Sequence, residues 1–172
     1  MPKKNDNGVP NLESDADYRL LARLRQATDA VFSIRQKELK QFNITPEQVG
    51  ALHLIHTFGN QATAFELSKV LYRKPSSMTV LLRRLERDGL IKKTVDTRKK
   101  NKIRLSLTRK GASCYKKGLE LRMVGNIFRS LSPEQKNQLC SLLEQLRDAA
   151  WENQNIDVNS YALLLEKLDM LK

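Results

Sequence analysis

The chain has 172 residues, of which 40% are hydrophobic and 29% are charged, and its formal net charge at pH 7 is +12. This length and this balance predict about one globular domain of roughly 100–200 residues and exclude an intrinsically disordered chain. No apolar run approaches the roughly 20 residues that cross a bilayer, and two cysteines are too few for a disulfide framework, so we expect a cytoplasmic protein without a membrane partner.

The first part of the chain predicts a polar tail followed by a long helix. Residues 1–14 lack the apolar stretch of a signal peptide, so we expect a disordered tail there. From about Asp15 to Phe42, apolar residues recur at steps of three and four, which is the spacing of one stripe on an α-helix. Such a helix exceeds the usual globular length, so we expect one end to pack outside its own compact unit.

Three shorter helices follow, with clear boundary signals. The residues Thr, Pro, Glu and Gln at 45–48 supply an N-cap, a proline at the first helical position and a capping-box glutamine, and they predict a helix to Phe58. A third helix is predicted over about 63–71. A fourth is predicted over 75–88, closed by Gly89 in a left-handed conformation.

After Gly89 the apolar period changes from that of a helix to that of a strand. Residues 103–107 alternate between apolar and polar, and together with 90–95 they predict a two-stranded hairpin. The segment 96–101 between them is a polar turn rich in cations. Further helices are predicted over about 108–128, capped by Thr108, over about 132–151, where Ser-Pro-Glu-Gln at 132–135 repeats the start signal of 45–48, and over about 158–171. The second of these carries an apolar stripe that needs a partner: Leu139, Leu142, Leu143, Leu146 and Trp151.

Almost all of the excess positive charge lies in one segment. Residues 73–110 contain 14 basic and three acidic side chains, a local net charge of +11 against +12 for the whole chain. A charge that served only solubility would be spread along the sequence. A concentrated one indicates a surface that meets a polyanion, and nucleic acid is the commonest.

The elements between residues 63 and 108 follow the order helix, helix, strand, basic turn, strand, which is that of a winged helix-turn-helix. In such a unit the second helix enters the major groove, and the hairpin tip reaches neighbouring phosphates or the minor groove. On helix 75–88 the residues predicted to form core fall on one face: Met78, Leu81, Leu82 and Leu85. The residues of the other faces are Ser76, Ser77, Thr79, Val80, Arg83, Arg84 and Arg87.

The same segment resembles the multiple-antibiotic-resistance-regulator (MarR) family of bacterial transcription factors. The matching residues are 66–68 (Glu-Leu-Ser), 77–86 (Ser-Met-Thr-Val-Leu-Leu-Arg-Arg-Leu-Glu), 89–91 (Gly-Leu-Ile) and 107–111 (Leu-Thr-Arg-Lys-Gly). The resemblance in element order covers about residues 15–151. It implies a mainly α (α+β) fold, in which a winged helix-turn-helix is carried by long N- and C-terminal dimerisation helices.

The family pattern also implies which side chains meet double-stranded DNA. Ser76, Ser77, Thr79, Val80 and Arg84 would face the duplex, with Arg83 beside them. Arg98 would be the wing arginine that enters the minor groove, next to Lys99 and Lys100. The sequence departs from the family in two places. Val80 stands where members often have arginine, and the Asp-Thr-Arg of 96–98 comes a few residues earlier than the usual wing motif.

The resulting hypothesis is a homodimeric regulator, most simply a repressor, that binds a pseudo-palindromic duplex on the bacterial or archaeal nucleoid without enzymatic chemistry or a cofactor. The predicted division is a tail at 1–14, dimerisation helices at 15–44 and 111–172, and a winged domain at 45–110. A non-specific chromosome-architecture protein is an alternative, which competition with random DNA distinguishes.

A small-molecule pocket is expected from the resemblance, between the winged domain and the dimer helices. The residues in the right elements are Phe32, Gln36, His53, His56 and Phe58. Packing in the core is the competing interpretation for each of them, and nothing in the sequence selects a ligand.

The histidines and cysteines offer two further alternatives. His53 and His56 lie three residues apart on one side of the second helix, and they would bind a metal only if carboxylates or cysteines joined them. A metal-sensing regulator is therefore a second alternative, although no metal site is predicted. Cys114 and Cys140 are predicted to be buried, inert thiols and not a redox sensor.

Overall fold

The computed structural model describes residues 15–59, 62–71, 73–96 and 102–154. The helices are α1 (Ala16–Lys40), α2 (Pro46–Phe58), α3 (Ala64–Val70), α4 (Pro75–Arg87), α5 (Arg109–Gly118), α6 (Arg122–Phe128) and α7 (Pro133–Glu152). The antiparallel strands β1 (Ile91–Asp96) and β2 (Lys102–Leu107) form one two-stranded sheet. The predicted tail at 1–14, the wing tip at 97–101 and the helix at 158–171 lie outside the described residues. Among the described helices, none is both long and apolar enough to cross a membrane.

The predicted helix boundaries are confirmed where the capping signals were strongest. The Thr45 hydroxyl accepts from the Gln48 N–H at 3.3 Å, and the Gln48 side chain accepts from the Thr45 N–H at 3.0 Å. Ser132 and Gln135 form the same reciprocal pair at the start of α7. Gly89 has φ 69°, so it ends α4 in the left-handed region that favours glycine.

The core lies in the winged unit, between α2, α3, α4 and the hairpin. Its most deeply buried large side chains are Leu39, Leu52, Ile55, Leu67, Met78, Leu85 and Leu105. Three core members come from the segments assigned to dimerisation: Leu39 of α1, Ile44 just after it and Tyr115 of α5. The physical reason is that a two-stranded sheet with three short helices cannot cover its own apolar surface without flanking elements.

The prediction of one continuous helix over 108–128 is wrong. The structure ends α5 at Gly118 and begins α6 at Arg122, so residues 119–121 interrupt the helix. Thr108 does cap the first part, because its hydroxyl accepts from the Gly111 N–H at 2.9 Å.

A buried ion pair from α1 occupies this break. Oε2 of Glu38, which is 3% exposed, lies 2.7 Å from Nη1 of Arg35. Arg35 also donates to the carbonyl oxygens of Gly118 and Glu120, the latter at 2.9 Å, and Glu38 accepts from the Met123 N–H at 2.8 Å. An unbroken helix would use those backbone groups for its own hydrogen bonds. The ion pair therefore satisfies the backbone at the junction and ties it to α1.

Several helices expose large apolar side chains in the single chain, and α7 and α1 expose groups of leucines. On α7 the exposed leucines are Leu139, Leu142, Leu143 and Leu146, each between 40% and 50% exposed. On α1 they are Leu20, Leu21 and Leu24, and Tyr18 and Phe32 are exposed as well. Trp151, which was predicted to continue the α7 stripe, is instead buried, with the Arg147 guanidinium 5.3 Å from its ring centre. Contiguous apolar surface of this kind marks an interaction face.

Candidate nucleic-acid interface

Helix α4 divides its residues between core and solvent as predicted. Met78, Leu81, Leu82 and Leu85 are buried. The predicted outer-face residues are all exposed, namely Ser76, Ser77, Thr79, Val80, Arg83, Arg84 and Arg87, as are Pro75 and Glu86. Because the apolar side is fixed in the core, the rotation of the helix about its axis is also fixed. The same set of side chains is therefore always presented outwards.

The N-terminal end of α4 carries hydrogen-bonding groups without a protein partner. Unlike α1, α2, α3, α5 and α7, this helix has no side chain that caps its first N–H groups among the described residues. Within the same part of the chain, the Ser76 and Ser77 hydroxyls make no hydrogen bond. The Thr79 hydroxyl differs, because it donates to the Pro75 carbonyl oxygen at 2.9 Å. An uncapped helix start is a place where anionic oxygens bind.

The cations further along α4 are not equivalent. Arg83 and Arg84 are exposed, and neither forms an ion pair with an acidic side chain in the described ranges. Nε of Arg87, in contrast, lies 3.1 Å from the Asp88 carboxylate. These contacts leave Arg83 and Arg84 as the cations of the helix that are available to an external anion.

A crevice of about 390 Å³ runs between α4 and the start of α2. Ser77, Val80 and Arg84 line one side of it, and Glu47 with Arg73 lies on the other. The Arg73 guanidinium is 3.8 Å from the Glu47 carboxylate. This partly exposed pair contributes little to stability, but it offsets the one acidic side chain that lines the crevice.

Strand pairing and an ion pair hold the two strands of the wing together. The strands pair in register from Ile91 opposite Leu107 to Asp96 opposite Lys102. Near the tip, the Asp96 carboxylate accepts from two nitrogens of Arg104, both at 3.2 Å. The tip itself, with Arg98, Lys99 and Lys100, lies outside the described residues, so the assignment of these three to DNA stays a prediction.

Thr108 joins the end of α4 to the base of the wing. Its hydroxyl donates to the Gly89 carbonyl oxygen at 2.7 Å, and its N–H donates to that of Leu90 at 3.0 Å. Gly111 packs so closely that an added Cβ would lie 1.8 Å from the Leu90 carbonyl oxygen. These contacts fix α4 and the hairpin relative to each other, and the sequence predicted Thr108 only as a helix cap.

Gly111→Ala should destabilise the protein by roughly 1–3 kcal/mol or more, because the methyl group meets backbone that cannot rotate away. Denaturant-induced unfolding measures the change. Gly125→Ala is the matched control, since an added Cβ there has no neighbour within 4 Å and alanine favours a helix interior by up to about 1 kcal/mol. Equal stability of the two variants would contradict the close packing at Gly111.

Comparison with known proteins agrees with this geometry. The model of the MarR family matches residues 44–100, from the start of α2 into the wing. An uncharacterized HTH-type transcriptional regulator of Bacillus subtilis (strain 168), YkoM, is 28% identical over 130 residues, which cover 74% of this chain and 82% of the relative. The chain therefore contains a segment, residues 44–100, that matches the MarR family of winged-helix regulators.

Solved structures extend the similarity beyond the matched segment. The crystal structure of an organohalide-sensing transcriptional regulator in its 2,4-dichlorophenol-bound form has a TM-score of 0.73 at 27% identity, covering 86% of this chain and 89% of that one. The MepR–DNA complex of S. aureus has a TM-score of 0.68 at 24% identity, covering 80% and 98%. The second likeness shows a shared fold. The predicted family resemblance and the predicted fold class are confirmed.

The five residues predicted to line a ligand pocket lie in different surroundings. Gln36 lines a cavity of about 640 Å³ between the end of α1, the start of α2 and the end of α4, together with Lys37, Lys40 and Arg87. The other four lie elsewhere: Phe32 is exposed on α1, Phe58 is in the core, and His53 and His56 contact Tyr115. The ligand pocket therefore stays a prediction.

The histidines form a small aromatic cluster with Tyr115. Nδ1 of His53 lies 3.0 Å from the Tyr115 hydroxyl oxygen, and the His56 ring centre lies 4.9 Å from the Tyr115 ring centre. Burial, and to a lesser extent the neighbouring His56, holds the pKa of His53 below its ordinary value. Burial raises the pKa of the Tyr115 hydroxyl. Across the described ranges, no group of three or more metal-ligating side chains occurs.

The prediction of two buried thiols is only half right. Cys114 is partly buried, and this burial raises the pKa of its thiol more than the nearby Lys117 and Lys110 lower it. Cys140 is exposed on α7, so the prediction of burial is wrong for that residue. It lies two residues before Leu142, on the helix that carries the exposed leucines. The periodicity of the sequence alone did not distinguish these exposed positions from core positions.

Proposed function

We propose that this protein is a homodimeric transcriptional repressor of the MarR family that binds a pseudo-palindromic operator through α4 and the wing. The observation that carries the proposal is the exposed face of α4. Within the part of the chain that the structure describes, this one helix has an uncapped first turn, two serine hydroxyls without a hydrogen-bond partner, and Arg83 and Arg84 without acidic partners. Uncapped N–H groups and guanidinium groups bind phosphate oxygens, and small side chains at a helix start allow close approach to base edges. The activity is binding, with no catalytic step.

The exposed leucines of α1 and α7 support the homodimer. A second copy of the chain would cover both stripes, which solvent otherwise meets. A two-fold dimer presents two copies of α4, and these read two half-sites about 34–36 Å apart in successive major grooves. A pseudo-palindromic operator follows from that symmetry.

The wing is the second contact of the proposal. Arg98, Lys99 and Lys100 come two to four residues after Asp96, whose carboxylate is held by Arg104 near the tip end of the strands. Cations at such a position suit the narrow minor groove or its phosphates. These residues would add affinity, while α4 would supply most of the sequence preference.

Release by a small molecule is the remaining part of the proposal. The cavity of about 640 Å³ adjoins the C-terminal end of α4 and carries Lys37, Lys40 and Arg87 on its walls. A ligand there would bear directly on the position of the DNA-reading helix. The organohalide-sensing relative holds 2,4-dichlorophenol in its structure, which gives a precedent for ligand control in a chain of this fold.

Selection of bound duplexes from a random pool tests the function. Enrichment of a sequence with two inverted half-sites is expected, and the enriched duplex should compete far better than random DNA. A protein that enriches no sequence, yet binds all duplexes alike, would instead be the chromosome-architecture protein considered above. The selected duplex is the operator used in the further experiments.

Binding should weaken steeply with salt, because each neutralised phosphate adds about −0.9 to the slope of log K against log salt concentration. With about six phosphate contacts per dimer, affinity should fall on the order of a thousandfold between about 50 and 200 mM salt. Arg84→Ala should reduce the slope by about one unit for each copy of the helix. Lys116→Ala, an equal charge change on exposed α5, should leave the slope unchanged. A slope near zero for the unmodified protein would be incompatible with the proposal.

A further inference from the structure

The first two turns of α4 expose no side chain that reads guanine or adenine by paired hydrogen bonds. The residues that do so in the major groove are Arg or Lys for guanine and Asn or Gln for adenine. The exposed residues of α4 before Arg83 are Pro75, Ser76, Ser77, Thr79 and Val80. Base edges that meet this part of the helix therefore meet hydroxyl and methyl groups.

Thr79 has already used its only hydrogen-bond donor. Its hydroxyl donates to the Pro75 carbonyl oxygen at 2.9 Å, one turn back along α4. The exposed side chain is then left with a γ-methyl group and an oxygen that can only accept. A threonine in this state is closer to valine than to serine in what it offers a ligand.

Val80 adds a second apolar group next to it. Its side chain is 45% exposed, although it is β-branched and sits on a helix face with Ser77 and Arg84. Valine is not favoured in helices, so local propensity does not explain its presence. Thr79 and Val80 therefore each place methyl groups on exposed positions of the helix, near its N-terminal end.

We infer that Thr79 and Val80 read the C5-methyl group of thymine, so that each operator half-site carries a thymine where the first two turns of α4 face the major groove. Among the four bases only thymine presents a methyl group there, and it packs against apolar side chains. The inference rests on the proposed function and deepens it, because it names the base feature that these two residues recognise.

Replacing single thymines of the selected operator by deoxyuridine isolates this contact. Deoxyuridine removes only the methyl group and keeps O4 and the Watson–Crick pairing. A single substitution at one or two of the thymine positions in a half-site should weaken binding of the unmodified protein about fourfold, as expected for one buried methyl group. Substituting the symmetric positions in both half-sites should weaken it about sixteenfold. Substitution at the other thymine positions should have little effect.

Variants of the two residues assign the contact. Thr79→Ser keeps the hydroxyl and its bond to Pro75 but removes the methyl group, and Val80→Ala removes two methyl groups. At least one of these variants should bind the thymine and deoxyuridine operators equally well. Arg83→Ala is the matched control. It should lower affinity for both duplexes and retain the difference between them, because a phosphate contact is indifferent to the base methyl group.

The outcomes separate this inference from the proposed function. Enrichment of no sequence in the selection would overturn both. Sequence-specific binding in which every deoxyuridine operator binds as tightly as the thymine operator would overturn the methyl readout alone. Deoxyuridine sensitivity that survives in Thr79→Ser and in Val80→Ala would also overturn it, since another residue would then read the methyl group.

Discussion

Ser77→Glu should abolish operator binding while the protein stays folded. Ser77 is exposed at the uncapped start of α4, so a glutamate there places a carboxylate where phosphates and base acceptors would approach. Like charges brought together at an interface cost several kcal/mol, so we expect a loss of affinity of at least about a hundredfold. The helix itself should not suffer, because a negative charge near a helix N-terminus is stabilising.

Binding titrations with the selected operator measure the loss of affinity, and circular dichroism shows whether the protein stays folded. Ser113→Glu makes the same change at an exposed position of α5 and should bind almost normally. If Ser77→Glu bound the operator within a few-fold of the unmodified protein, α4 would not be the element that approaches the duplex. If Ser77→Glu unfolded the protein while Ser113→Glu did not, the buried face of α4 would include Ser77.

The double variant Leu143→Glu with Leu146→Glu should convert the proposed dimer to single chains. Both leucines are more than 40% exposed in one chain, so their replacement leaves the described core untouched. In a dimer they would bury glutamate carboxylates against the partner, which is strongly unfavourable without compensating partners. Glutamate is a good helix former, so α7 should persist.

Sedimentation at micromolar concentration should show one species of the single-chain mass for this variant and of twice that mass for the unmodified protein. DNA affinity should fall by at least about a hundredfold, because the two half-sites are then bound independently. Asn137 lies on the opposite side of α7 from the leucine stripe, so Asn137→Glu is the control. A variant that still sediments as a dimer would move the interface away from α7.

The features that can be predicted from the sequence alone are those that depend on residues a few positions apart in the chain. Capping by Thr45 and Ser132, the left-handed Gly89 and the core face of α4 all follow from short-range hydrogen bonding and from a 3.6-residue period. The hairpin follows from the change to a period of two. Changing the local residues would destabilise each of these features, so each can be recognised from a short stretch of sequence.

The tertiary structure alone decided the features that join distant parts of the chain. The Arg35–Glu38 pair interrupts a predicted helix more than 80 residues further along, at Gly118 and Glu120. Thr108 reaches back to Gly89 in the same way. Charged and hydroxyl side chains on a helix look alike in sequence whether they face water or a distant backbone group. Only folding brings the partner within hydrogen-bond distance, and burial then makes an unpaired polar group too costly to leave without one.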